Sequence, residues 1–204
     1  MIARGGAAFV FVPLLGIVAA MAGALALQSI PLLYAVMPLG LVFLFALAFF
    51  RDPHRVTGEG VVSAADGRVL DVDAASRTLT VFMSVSNVHV NRAPWPGVVT
   101  RMTHTPGGHA PAYADEAAKN ERLETIVDSP LGPVRIVQIA GAFARRIVPY
   151  VREGDRVKKG QRIGMIRFGS RVELTLPPRM RIVVTPGDRV RAGETTVAVI
   201  DGPR

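Results

Sequence analysis

The chain has 204 residues, with 24 Lys and Arg against 16 Asp and Glu, and it contains no cysteine. The missing cysteine excludes a disulfide framework, a thiolate nucleophile and a Cys-ligated zinc. The positive excess comes without a Lys/Arg block interleaved with aromatic residues, which argues against a nucleic-acid partner and, beside a long apolar segment, for an anionic lipid surface.

Charge is unevenly spread. The 46 residues between Arg4 and Arg51 hold no Asp, Glu, Lys or Arg, and the 154 residues from Arg51 onward hold all the acidic residues and all but one of the basic ones. Ala7–Leu27 and Leu32–Phe50 are the two apolar runs, separated by Gln28, Ser29, Ile30 and Pro31. As helices each spans roughly 30 Å, the thickness of a bilayer hydrocarbon core. The first run is too long for a signal peptide, and the second follows at once. Two helices joined by four residues make a hairpin, residues 1–50, with both ends on one side. Arg4, Arg51 and Arg55 flank it, which predicts a cell (inner) membrane anchor with the following domain, 51–204, facing the cytoplasm. A re-entrant hairpin in one leaflet fits the same pattern.

After Arg51 the texture changes to short alternating or β-branched runs: Arg77–Met83, Gly97–Met102, Val134–Ile139, Gln161–Phe168, Arg171–Leu176, Met180–Val184 and Thr195–Ile200. Gly, Pro, Asp and Asn punctuate them, so the expected fold is mainly β and antiparallel. Ala112–Glu121 reads either as a helix or as a loop. The segment Val151–Gly160 recurs as Val184–Gly193, with Val-x-x-Gly-Asp-x-Val-x-x-Gly at an offset of 33. Gly-Asp between strands is turn chemistry, and the repeat resembles the turns of lipoyl-like and barrel-sandwich hybrid domains, in which two half-units pack face to face. The fold class expected is a β-sandwich or barrel-sandwich-hybrid-like domain behind a transmembrane helical hairpin.

The stretch from Met165 to Pro177, with Gly169-Ser170 at its centre, reads by composition as a turn between two strands. Its neighbours point elsewhere. Arg51-Asp-Pro-His-Arg55, Ser63-Ala-Ala-Asp66-Gly67-Arg-Val69, Phe82–Pro94 with His89 inside it, Asn120-Glu-Arg122, Gln138-Ile-Ala-Gly141 and Ala144–Val148 follow in order. Together they resemble the short, self-processing, pyruvoyl-dependent phosphatidylserine decarboxylases over nearly the whole chain. The resemblance implies that Ser170 attacks the carbonyl of Gly169 and that the amide becomes an ester. Elimination and hydrolysis then leave a pyruvoyl group derived from Ser170, a β chain 1–169 and an α chain 170–204 held as a heterodimer. It further implies decarboxylation of phosphatidylserine in the membrane to phosphatidylethanolamine through a Schiff base, with no metal.

The resemblance also implies a relay of Asp, His and Ser for self-cleavage. His89 is the matching base, and Asp66 is the matching carboxylate, although Asp66-Gly67 is also a turn dipeptide in its own right. Longer family members carry a second histidine where this chain has Arg92, so His89 serves self-cleavage, turnover or both. Arg145, Arg146 and Arg92 are candidates for the substrate's phosphodiester or carboxylate, because guanidinium matches both geometries. His54 lies in a loop, His104 and His109 flank the loop Pro106-Gly107-Gly108, and Asn91 breaks the His-x-His pair that a zinc peptidase of the duplicated hybrid-motif type requires. An archaetidylserine decarboxylase would read alike. A non-enzymatic lipoyl-like carrier would need a Lys-bearing hairpin tip and a membrane adaptor a long coiled coil, and the sequence reads as neither. A homo-oligomer is left open.

Overall fold

The computed structural model describes residues 1–108, 110–111, 117, 119–141, 146–167 and 170–201. The chain divides into two compact units, Met1–Pro53 and His54–Arg204.

The first unit is a pair of helices, α1 (Ala7–Leu27) and α2 (Ile30–Phe49). Gln28 adopts the left-handed conformation and its N–H caps Ala24 O, which ends α1 abruptly. The helix after it begins two residues earlier than the apolar run suggested, because Pro31 fits within the first turn, where no intrahelical N–H is needed. Close approach of the helices depends on small residues: a Cβ on Gly16 would lie 3.3 Å from Leu39 and one on Gly23 3.1 Å from Leu32. The open end is tied by Ala3 N–H to Phe50 O and Asp52 N–H to Met1 O. Both helices are long and apolar enough to cross a membrane by length and composition. Phe11, Leu15, Leu25, Leu33, Met37 and Leu41 are exposed on them, a surface consistent with membrane association.

The second unit is mainly β among its described residues. Its strands are β1 (Val61–Val62), β2 (Gly67–Asp73), β3 (Thr78–Met83), β4 (Val90–Arg92), β5 (Gly97–Thr105), β6 (Arg122–Asp128) and β7 (Val134–Ala140), followed by β8 (Ile147–Pro149), β9 (Arg156–Val157), β10 (Arg162–Ile166), β11 (Ser170–Thr175), β12 (Met180–Ile182), β13 (Arg189–Val190) and β14 (Thr196–Ile200). They build an eight-stranded sheet, β13-β2-β3-β11-β7-β6-β5-β9, and two three-stranded sheets, β1-β14-β12 and β4-β10-β8. Every named pairing is antiparallel.

The sequence repeat closes the two ends of the large sheet. In the first copy Gly154 N–H donates to Val99 O, Val99 N–H to Asp155 O and Gly160 N–H to Ala93 O. In the second, Gly187 N–H donates to Val69 O, Val69 N–H to Asp188 O and Gly193 N–H to Ser63 O. Gly154 and Gly187 sit at φ 88° and 99°, which glycine adopts without strain. The sheet order is thereby pseudo-symmetric: β13, β2, β3 and β11 in one half correspond to β9, β5, β6 and β7 in the other.

The two halves meet along β11 and β7, and the core rows run across them. Val81, Val172 and Gln138 form one row; Leu79, Leu174 and Ile136 form the next. All six are buried, and each large apolar member contributes roughly 1.5–3 kcal/mol of burial. The third row is Met83, Ser170 and Ala140, which puts a serine in a core position. The strands read from sequence recur with shifted ends; β10, for example, is Arg162–Ile166 rather than Gln161–Phe168. β2 and β6 escaped the sequence reading because Asp71, Asp73, Glu124 and Thr125 interrupt their apolar runs.

Candidate active site

Two chain crossings lead between the same two sheets, from β3 to β4 and from β10 to β11. β3 pairs with β11, with Met83 opposite Ser170, and β4 pairs with β10, with Val90 opposite Met165. The ends of β3 and β4, which flank residues 84–89, are therefore paired with the start of β11 and with β10. The first crossing carries His89 and the second ends at Ser170. His89 O accepts from Ile166 N–H at 3.2 Å, which ties the histidine's backbone to the end of β10.

The crossing at 84–89 is held by its own polar groups. Asn87 Oδ1 accepts from Ser84 N–H and Ser84 Oγ–H, both at 2.8 Å, and Asn87 N–H donates back to Ser84 O. His89 is fully buried, and its Nδ1 lies 3.0 Å from Asn87 O. A carbonyl only accepts, so Nδ1 carries the proton and the imidazole lone pair resides on Nε2.

Ser170 is also fully buried, and its hydroxyl donates to Met83 Sδ at 3.5 Å. The same sulfur accepts from Asn91 Nδ2 at 3.6 Å, and Asn91 Oδ1 accepts from Gln138 Nε2 at 2.7 Å. A thioether is a weak acceptor, so the hydroxyl is held in place without being locked. A buried alkoxide without compensation is costly, so chemistry at this oxygen needs its proton taken as the bond forms. Asn91, Gln138 and Met83 were not read from sequence as site residues. Their signal was faint: polar amides inside strands that otherwise pattern as core.

Asp66 has other partners. Its Oδ2 pairs with Arg55 Nη2 at 2.8 Å and its Oδ1 accepts from Ala192 N–H at 2.8 Å. Arg55 Nη1 reaches Glu194 at 2.9 Å, so one guanidinium bridges two carboxylates. Burial pushes the Asp66 carboxyl above its usual range; the Ala192 amide and Arg55 oppose the rise, and Glu194 adds to it. The hydrogen bonds thus join Asp66 to Arg55 and His89 to Asn87. Asp66 and Asn87 border one cavity.

Arg92 is buried and donates from Nη1 to Gly160 O at 3.0 Å, within the packing of the repeat turns. Arg146 is exposed, and its carbonyl accepts from Arg167 N–H. Burial and the nearby Arg146 charge hold the Arg167 guanidinium below its usual range. Gly169, Arg145 and His109 lie outside the described residues, as does most of Ala112–Glu121. Among the described residues, no three His, Asp or Glu gather as a metal site.

The sequence pattern of one family, described as phosphatidylserine decarboxylase, matches residues 42–198. The chain belongs to the phosphatidylserine decarboxylase family. It is thus an enzyme, a decarboxylase. Among its relatives, a phosphatidylserine decarboxylase proenzyme of Thermobifida fusca is 52% identical over 151 residues, covering 72% of this chain and 70% of the relative. A protein of the same name from Streptomyces coelicolor is 49% identical over 156 residues, 74% and 71% of the two chains. A Methanococcoides burtonii protein named "Putative archaetidylserine decarboxylase proenzyme" is 50% identical over 157 residues, 76% and 74% of the two chains. The matched span contains both crossings and the Arg55–Asp66 pair.

Proposed function

We propose that the chain cuts itself between Gly169 and Ser170 and then decarboxylates the serine headgroup of a membrane phospholipid, phosphatidylserine or its ether-linked archaeal counterpart. The observation that carries this reading is a fully buried serine at the first position of β11, beside the crossing that holds a fully buried histidine of fixed tautomer.

In the cut, Ser170 Oγ adds to the carbonyl carbon of Gly169 while His89 takes the hydroxyl proton. The C–N bond breaks and the acyl group passes to oxygen as an ester. Loss of a Cα proton expels the Gly169 carboxylate and leaves a dehydroalanine, whose imine form takes up water and releases ammonia. The three carbons of residue 170 that remain, a methyl, a ketone and the acyl carbonyl, are the pyruvoyl group at the new N-terminus. Burial of Ser170 suits this sequence, because excluded water does not divert the ester early. The site fits such a group: it is formed in place on a strand paired on both sides, next to small Ala140 and the soft Met83 thioether. It would supply an electrophilic carbonyl for the headgroup amine and an electron sink for the bond to CO₂.

The chain's own residues do the rest. His89 moves the proton at Ser170 Oγ and later returns one to the headgroup Cα. The Asn91–Gln138 pair positions Met83 and, through it, Ser170. Asp66 is a positioning residue, clamping Arg55 and the 191–194 turn beside the cavity it shares with Asn87. Arg146, whose carbonyl accepts from Arg167 N–H, favours an anionic group of the substrate, and Arg145 is proposed for the same role on the resemblance alone. Arg92 contributes by holding the repeat turns. The products are a β chain 1–169 and an α chain 170–204 that stay together, and Arg4, Arg51 and Arg55 favour a cytoplasmic catalytic unit.

Denaturing electrophoresis with intact-mass spectrometry tests the reading. Wild-type chain should give two pieces, the smaller 35 residues long with a blocked, ketone-bearing N-terminus, and Ser170→Ala should give one piece without activity. An active wild-type protein that is a single uncut polypeptide refutes it. Assay with diacyl and diether serine lipids assigns the lipid class.

A further inference from the structure

The pseudo-symmetry of the large sheet produces two equivalent grooves, one at each end. At one end a cavity of about 460 Å³ is lined by Arg68, Arg189 and Arg191, with Ser84, Ser86 and Asn87 along one wall. At the other, a cavity of about 510 Å³ is lined at corresponding positions by Val98, Arg156 and Lys158, with Asp128 facing them. Position 68 corresponds to 98, and 189 and 191 correspond to 156 and 158 by the repeat offset of 33. Backbone geometry is therefore held nearly constant while chemistry differs. The groove beside the 84–89 crossing has three guanidiniums, two hydroxyls and the Asp66 carboxylate. Its twin has one guanidinium, one ammonium, one hydroxyl, from Ser129, and the Asp128 carboxylate, so the difference is the added guanidinium charge.

The basic groove is also coupled to the candidate active site. Ser84 Oγ, Ser86 Oγ and Asn87 Oδ1 form one hydrogen-bonded cluster, and Asn87 O receives His89 Nδ1–H. Arg68, Phe82 and Arg171 stand in register across β2, β3 and β11, on the sheet face opposite the Met83–Ser170–Ala140 row, and Arg171 is the residue after Ser170. Two strand spacings separate Arg68 from β11, about 10 Å of backbone. The route from the groove to residue 170 therefore runs past the end of β3, where Ser84 and Asn87 line the same cavity. The one carboxylate among the cavity's lining residues, Asp66, is ion-paired with Arg55, which it shares with Glu194.

We propose that Arg68, Arg189 and Arg191 bind the phosphodiester of the substrate headgroup beside the Ser84–Ser86–Asn87 cluster and so direct its amine toward residue 170. Guanidinium forks match a phosphodiester's oxygens. The assignment rests on the reading of the chain as a serine-phospholipid decarboxylase, and it places headgroup recognition on residues that the motif around Ser170 does not contain. Arg191 also lies 3.8 Å from Glu194, a contact loose enough for a phosphate to displace.

The test uses full-length Ser170→Ala chain in detergent, with soluble glycerophosphoserine as the calorimetric probe. Arg68→Gln with Arg189→Gln should weaken binding about tenfold or more, since each lost charge-assisted bond is worth that order. Arg156→Gln with Lys158→Gln, in the twin groove, should leave it unchanged. In the Ser170 chain the groove variant should still cut itself to completion, raise KM for short-chain substrate about tenfold and leave kcat within a few-fold. Its sedimentation with phosphatidylglycerol vesicles should match wild type. Unchanged probe binding, an equal loss from the twin-groove variant, or a parallel loss of vesicle binding overturns the proposal, the last by making the groove a general contact for anionic lipid. Failure of wild type to self-cleave refutes the decarboxylase mechanism instead, and leaves the probe-binding result standing on its own.

Discussion

Arg55 bridges Asp66 and Glu194 with side-chain exposures of 8%, 10% and 29%, so little solvent screens the cluster. Replacing it with Met keeps much of the packing and removes the only cation hydrogen-bonded to Asp66 among the described residues. Breaking a buried pair from one side costs about 3–5 kcal/mol, because the remaining charge is left desolvated. For a unit of about 150 residues that is a fall in Tm on the order of 6–20 °C.

The loss depends on pH with a definite sign. The folded state holds the Asp66 proton more tightly than the unfolded chain does, because burial raises its carboxyl above 3.8. The contribution of this group to stability therefore falls as pH rises from the unfolded value through the raised folded one. Arg55 is one of the influences that lower Asp66, so Arg55→Met raises it further and widens that window. The variant should approach wild type as pH falls and Asp66 takes up its proton, and be most destabilised toward pH 7. Thermal melts of the detergent-solubilised, uncut Ser170→Ala chain with and without Arg55→Met, followed by far-UV circular dichroism from pH 4 to 8, measure this. Arg55→Lys should recover part of the loss at pH 7. A Tm difference that is the same at both ends of the range, or below about 2 °C at pH 7, refutes the assignment of the cluster as a buried charge clamp.

Asn91→Leu strands the buried Gln138 amide and removes a donor to Met83. It should cost about 1–3 kcal/mol and slow self-cleavage in a time course on denaturing gels. Met83→Leu conserves volume and should cost under about 1.5 kcal/mol, yet change the cleavage rate, since Ser170 loses its hydrogen-bond acceptor; an unaltered rate would remove Met83 from the positioning chain. At Gly164 a Cβ would meet Gln138 Nε2 and Val148 O at 3.0 Å each. Gly164→Ala should therefore disturb the Gln138–Asn91 bond and slow cleavage more than it lowers Tm.

The sequence carried the parts of this molecule that have period or punctuation. The helical hairpin is legible because 46 residues lack charge, and the ends of the large sheet because Gly154-Asp155 and Gly187-Asp188 repeat at a fixed offset. Ser170 and His89 are candidates through the company they keep, since Gly-Ser by itself is an ordinary turn. What stayed hidden depends on register. Nothing in the order of residues says that Met83 faces Ser170, or that Asn91 and Gln138, 47 positions apart, share a bond. Asp66 shows the same limit. Its motif suggested a partner for histidine, and folding brings it Arg55 and the Ala192 amide, a contact 126 residues distant along the chain.

The pseudo-symmetry also explains why one place in the sheet suits a chain break. In one half β6 and β7 are joined directly by a tight turn, with Gly132 N–H donating to Ser129 O. The equivalent strands in the other half, β3 and β11, are not consecutive; their adjoining ends at Met83 and Ser170 lead away to β4 and β10. A cut before Ser170 therefore opens a crossing rather than a hairpin, and every strand pairing survives it. The piece 170–204 would supply β11, paired along six positions to each of β3 and β7, together with β13 at the sheet edge and β12 and β14 in the second sheet. It buries Val172, Leu174, Leu176, Met180, Val190 and Val197, each worth roughly 1.5–3 kcal/mol. The two pieces should accordingly copurify through size exclusion in mild detergent at 1:1 ratio and part only in denaturant, with the same far-UV spectrum before and after cleavage. Separation of the small piece under native conditions would mean that the register of β11 between β3 and β7 is wrong, and with it the row that puts Ser170 beside Met83.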